Sequence, residues 1–150
     1  MSCKQTSAGR SGRPDGAGPI LIVDDDLDDA ALTKRAITAL YPDIPVLIID
    51  SGKGLVSYLE GESASSQRTG RHLASAILLD LRMPEMDGFA VLEWIKEQPK
   101  YAGIPVIVVS VFEDLPHLNR AYALLARAYL LKPINAESFH NALSSLKITF

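Results

Sequence analysis

Five short apolar runs recur along the chain, and their spacing constrains the fold more than any other feature. They are "PILIVD" (19–24), "IPVLIID" (44–50), "SAILLDL" (75–81), "IPVIVVS" (104–110) and "AYLLK" (128–132). They are rich in β-branched residues and nearly continuously apolar. That suits parallel strands covered on both faces, not the in-out alternation of a one-sided sheet. Helix-like segments separate them at about 27–40, 53–60, 88–98, 114–127 and 135–147. In "MDGFAVLEWIKEQP", Phe89, Leu92 and Ile95 share one face and Pro99 ends the segment; in "NAESFHNALSSL", Phe139, Leu143 and Leu146 do the same. Strand and helix alternate five times, which predicts an α/β domain.

The 150 residues are 47% hydrophobic and 22% charged, enough for one domain with a substantial core. The formal net charge of −3 argues against a nucleic-acid-binding surface. Cys3 is the only cysteine, so no disulfide forms within the chain, and a reducing compartment fits. No apolar run is long enough to cross a bilayer, and the first residues lack the apolar stretch of a signal peptide. The expected location is cytoplasmic, without a membrane partner. Residues 1–18 are rich in Gly, Ser and Arg and read as a disordered tail, with the domain proper at 19–150. Lys4, Arg10 and Arg13 against Asp15 give that tail +2 and leave −5 for the rest. The polar stretch "GESASSQRTGRHLA" (61–74) reads as a long surface loop.

Ligands of open α/β sheets bind beyond the carboxyl ends of the strands. The first run ends in Asp24-Asp25-Asp26, the third in Asp80, the fourth in Ser110 and the fifth in Lys132-Pro133. If these strands are neighbours, one edge gathers carboxylates, a hydroxyl and an ammonium. Clustered carboxylates stay ionised only when a cation joins them, or one takes up a proton. A sparse all-oxygen ligand set suits Mg²⁺, which keeps several waters and recruits phosphate oxygens. A carboxylate can attack phosphorus, while metal, ammonium and hydroxyl neutralise the transferred group. The inferred chemistry is phosphoryl transfer to an aspartate.

Other residues have plainer readings. Asp26 or Asp28 caps the first helix, and Asp28 and Asp29 form a solvated first turn. "SGKG" (51–54) is a turn opening the second helix, not a phosphate loop. Trp94 is packing. His72, His117 and His140 have no ligand spacing, and "EDLPHLNRAY" is the exposed start of the fourth helix.

"ILIVDDD", "LLDLRMPEMDGFAVL", "IPVIVVS" and "YLLKP", in this order, resemble the receiver domain of two-component response regulators over about residues 19–147. The resemblance implies a flavodoxin-like, doubly wound, five-stranded parallel sheet in the order 2-1-3-4-5 with five helices. It implies that Asp80 accepts the phosphoryl group. Asp25 ligates Mg²⁺ directly and Asp24 mostly through water, with Asp80 and the backbone carbonyl of Arg82 completing the set. Ser110 and Tyr129 match the switch pair, and Lys132 the lysine that contacts the phosphoryl group. Pro133 implies a cis Lys132–Pro133 bond, and Gly88 a close backbone approach after Asp87. The implied partners are a sensor histidine kinase and a downstream or phosphotransfer protein, with a homodimer also open. The chain would be no enzyme beyond its own phosphorylation and dephosphorylation.

Two positions depart from that family. Val111 stands where a small residue often follows the switch serine, which bears on the lifetime of the phosphorylated state. Ala126-Arg127 replaces a Gly-Ala pair before the fifth strand. "VDDDLDDAALTKRAI", "YLEGE" and "AYALLARAYLLKPINAESF" are further similar to stand-alone receivers that serve phytochrome-type histidine kinases. Two alternatives compete. Asp24 and Asp26 form an Asp-x-Asp after a strand, as in haloacid-dehalogenase-like phosphohydrolases with Asp24 as nucleophile, but the usual Thr and any cap are missing. A phosphorylation-independent pseudo-receiver is the other, and the complete set of Asp24, Asp25, Asp80, Ser110 and Lys132 argues against it.

Overall fold

A computed structural model describes residues 17–66, 70–148 and 150. The tail reading for 1–18 lies outside the described residues as far as residue 16. Gly18 itself is buried, and its amide donates to the Arg71 carbonyl at 2.8 Å.

Five strands, β1 (Ile20–Val23), β2 (Val46–Ile49), β3 (Ala76–Asp80), β4 (Val106–Ser110) and β5 (Ala128–Leu131), form one sheet in the order β2-β1-β3-β4-β5. Every neighbouring pair is parallel. Five helices cover the sheet: α1 (Leu27–Leu40), α2 (Gly52–Ser66), α3 (Gly88–Lys96), α4 (Leu115–Ala123) and α5 (Ala136–Leu146). This is the doubly wound, flavodoxin-like arrangement.

The period of two along each strand divides the core between the two faces. Leu21, Val23, Ile77, Leu79, Val106 and Val108 pack with Leu55 and Leu59 of α2 and with Val91, Leu92 and Ile95 of α3. Ile20, Ile22, Leu78, Ile107 and Val109 pack on the other side with Ile37 of α1 and with Phe139 and Leu143 of α5. Each fully buried aliphatic side chain of this kind contributes about 1.5–3 kcal/mol. The edge strand β2 differs from the covered-strand expectation: Leu47 and Ile48 remain exposed, because only β1 pairs with it.

Residues 61–66 and 70–72 do not form the expected loop, and 67–69 lie outside the described residues. α2 runs on to Ser66, and a 3-10 turn occupies Gly70–His72. Leu55 and Leu59 anchor α2 in the core, and a nucleated helix extends through Glu and Ala with little further cost. Polarity marked an exposed helix here, not an irregular segment. In the turn where the Gly-Ala pair is missing, Leu125 adopts the left-handed conformation at φ 73° and Ala126 is buried behind it.

Parallel register then positions the strand ends. Val23 lies opposite Leu79, so Asp24 and Asp80 follow side by side. Asp80 lies opposite Val109, and Ser110 opposite Leu131. The Lys132 amide donates to the Ser110 carbonyl at 2.8 Å, which places Lys132 at the same edge.

Candidate functional site

Asp24, Asp25 and Asp80 each bring a carboxylate oxygen within 4.8 Å of the others. Asp24 and Asp80 are buried, whereas Asp25 is exposed. The donor set is all oxygen and anionic, one ligand faces solvent, and the cluster is capable of holding a divalent cation. Asp24 is held from two sides: its Oδ1 accepts from the Asp26 amide at 2.9 Å and its Oδ2 from Lys132 Nζ at 2.8 Å. Asp26 takes no part in the cluster. Its carboxylate accepts from the amides of Asp28 and Asp29 and caps α1.

Lys132 is the counter-charge. Its ammonium also meets Asp29 at 3.1 Å and Asp80 at 3.3 Å. Burial opposes the charged amine, but hydrogen bonds to Asp24 and Asp29 and the field of Asp80 outweigh it and hold the ammonium above its ordinary range. Asp80 moves the other way. Burial first, then the like charge of Asp24, pushes its carboxyl up to about 6, against the pull of Lys132 and the Arg82 amide. A single ammonium does not offset this much negative charge, which is the physical case for a further cation.

Gly88 begins α3 directly beneath this edge. Its amide donates to the Leu81 carbonyl at 3.1 Å, and a Cβ on it would lie 2.5 Å from the Asp80 carbonyl oxygen. Asp87 caps the helix through the Ala90 amide at 2.9 Å. The Lys132–Pro133 bond is cis. Val111 is more than half exposed and lines the acidic hollow together with Asp25, Asp29, Asp80, Arg82 and Lys132.

Ser110 and Tyr129 meet through the β4–α4 loop. Ser110 Oγ accepts from the Phe112 amide at 3.1 Å, and the Tyr129 hydroxyl donates to the Phe112 carbonyl at 2.7 Å. Burial raises the Tyr129 phenol above its ordinary value, against a hydrogen bond with Ser110.

Two features were not legible in the sequence. Asp29 read as a solvated first-turn residue, yet it binds Lys132. The start of α4 read as simply exposed, yet Phe112 stacks on His117 with centroids 4.1 Å apart and planes 12° apart. The Arg82 guanidinium lies 5.7 Å above the Phe112 ring. These groups wall a groove of about 450 Å³ that reaches Asp25. The sequence signal for it was "VFEDLPH", two aromatic rings five positions apart on either side of the Asp114 cap.

The family model "Response regulator receiver domain" matches residues 20–144. The chain belongs to that family. It is 33% identical over 128 residues to the probable methanogenesis regulatory protein FilR2 of Methanothrix harundinacea, covering 85% of this chain and 80% of that one. Among solved structures it is similar to the bacteriophytochrome response regulator AtBRR, with 28% identity, a TM-score of 0.76, and coverage of 91% of this chain and 96% of that one. A manganese-bound form of the response regulator Rcp1 matches at 26% identity with a TM-score of 0.68, over 87% and 94% of the two chains. As a receiver, the protein accepts a phosphoryl group within its Asp24–Asp25–Asp80 cluster and acts only on its own phosphorylation state. Sensor histidine kinases are the typical partners of this family. Among the described residues, no helix is long and apolar enough to cross a membrane.

Proposed function

We propose that Asp80 is the phosphoacceptor and that a phosphohistidine on a sensor kinase is the donor. The observation that carries this is the different state of the two buried carboxylates. Both oxygens of Asp24 are already engaged, by the Asp26 amide and by Lys132. Asp80 is the poorly compensated one, at the end of the central strand β3. This also counts against Asp24 as the nucleophile of a hydrolase.

In the reaction, an Asp80 carboxylate oxygen attacks phosphorus in line. A P–O bond forms, the P–N bond breaks, and its electron pair returns to the imidazole nitrogen. Asp24, Asp25 and Asp80, with the Arg82 carbonyl, would hold Mg²⁺. When bound, it supplies positive charge to the phosphoryl oxygens and to the carboxylates. Lys132 brings a second positive charge to the same edge, and Ser110 offers a hydroxyl proton once it turns from the loop. Its departure from Phe112 frees the loop, and the Tyr129 ring fills the space that Ser110 vacates, which reshapes the surface formed by α4, β5 and α5, where a target protein or a second copy binds. The likeness to the bacteriophytochrome regulator supports a phytochrome-type kinase as donor.

The test is labelling with acetyl phosphate and Mg²⁺, followed by mass spectrometry of borohydride-reduced peptides. Wild type should carry one phosphoryl group at Asp80, and Asp80→Asn none. Label retained on Asp24 in the variant would overturn the assignment.

A further inference from the structure

We propose that Asp29 is a positioning residue that holds the Lys132 ammonium in its resting place and must yield it when a phosphoryl group arrives. This rests on the reading of Asp80 as phosphoacceptor and Lys132 as its phosphoryl contact.

An ammonium has three donors. In the resting protein two are committed, to Asp24 at 2.8 Å and Asp29 at 3.1 Å, and Asp80 is the most distant of the three carboxylates at 3.3 Å. The two committed partners are unequal. Asp24 follows β1, its side chain is 5% exposed, and the Asp26 amide fixes its other oxygen. Giving up Lys132 would leave it buried and uncompensated. Asp29 sits on the first turn of α1 with its side chain 40% exposed, so water replaces the lysine there at small cost. A phosphoryl group brings close to two negative charges and outbids a single carboxylate for the ammonium. Lysine therefore exchanges Asp29 for phosphoryl and keeps Asp24. Asp29 thus sets how readily Lys132 leaves its resting place, a coupling between residues 103 positions apart.

The charge of Asp29 works in the same direction. It adds a negative charge beside the hollow into which the anionic group must come, so its removal favours that group on both counts.

Beryllofluoride with Mg²⁺ is the probe, titrated calorimetrically into wild type, Asp29→Asn, Asp29→Glu, Lys132→Ala and the Asp29→Asn/Lys132→Ala double variant. Asp29→Asn should bind three- to tenfold more tightly, and Asp29→Glu should return towards wild type. In the Lys132→Ala background the gain from Asp29→Asn should shrink to the small part due to its charge alone. Without metal, urea unfolding of the same set should be non-additive, because the Asp29–Lys132 contact exists before any ligand binds. Equal or weaker binding by Asp29→Asn overturns the proposal while leaving the site intact. An equal gain in the Lys132→Ala background also overturns it, since Asp29 would then act as a general charge at the helix start. Wild type that fails to bind beryllofluoride overturns the underlying assignment of Asp80 instead.

Discussion

The Tyr129 hydroxyl donates a 2.7 Å hydrogen bond to the carbonyl of Phe112, the residue whose amide is held by Ser110 Oγ. One loop residue is therefore clamped from both peptide groups, by the end of β4 and by the middle of β5. Tyr129→Phe removes one clamp without disturbing ring packing. It should cost about 0.5–1.5 kcal/mol in urea unfolding. Amide exchange at 112–114 should accelerate, while exchange in β3 stays as in wild type.

Asp80 makes metal-free stability depend on pH. Its carboxyl titrates at about 6 in the fold against 3.8 as the ordinary value, so the folded state binds a proton more tightly between those limits. The contribution of protonated Asp80 is complete below 3.8 and lost as pH rises through about 6. Asp80→Asn keeps the shape and removes the charge. Allowing for water at the mouth of the hollow, it should stabilise the metal-free protein at pH 7.5 by about 1–2 kcal/mol. The gain should fade towards pH 4. Thermal unfolding across pH 4–8 in a chelator checks this, and added Mg²⁺ should stabilise wild type more than the variant.

Gly88 packs against the backbone at the end of β3 more closely than any side chain permits. Gly88→Ala places a methyl group 2.5 Å from the Asp80 carbonyl oxygen and 2.8 Å from Leu81 Cα. The backbone must move apart, at a cost of about 1–3 kcal/mol. Because the displaced carbonyl belongs to Asp80, acetyl phosphate labelling should slow more than ten-fold, roughly the scale expected when a reacting group is misplaced. Unfolding and labelling measured together check both effects.

Tyr101 tests the interior away from the site. It is fully buried, and among the described residues its hydroxyl has no hydrogen-bond partner. Tyr101→Phe removes the unpaired group and keeps the ring beside Trp94, 5.4 Å away. It should stabilise the fold by about 1 kcal/mol, with labelling at Asp80 unchanged. A loss of stability in urea would show that the hydroxyl is satisfied.

The edge that carries Asp24, Asp25, Asp80, Ser110 and Lys132 was legible in the sequence because each strand changes abruptly from aliphatic to polar. Parallel register then brings all the ends to one side. Asp26 was legible as a cap by its place before Leu27. Asp29 was not, because its partner lies 103 residues away and local spacing carries no information about where the Lys132 chain points. The Phe112–His117 stack escaped for a similar reason: loop conformation, not periodicity, brings the two rings together. The 61–66 segment was misread because an exposed helix can be as polar as a loop when its anchoring leucines lie upstream.

Pairing of β1 with β3 sets the distance between Asp24 and Asp80, and buried residues fill both faces of those strands. A slip by one residue would move Asp80 by about 3.3 Å and turn it to the opposite face. The chemistry is thus tied to strands that are covered on both faces. Substitutions in the turn at Leu125 or on the exposed side of α4 can redraw what the protein recognises without altering how it reacts.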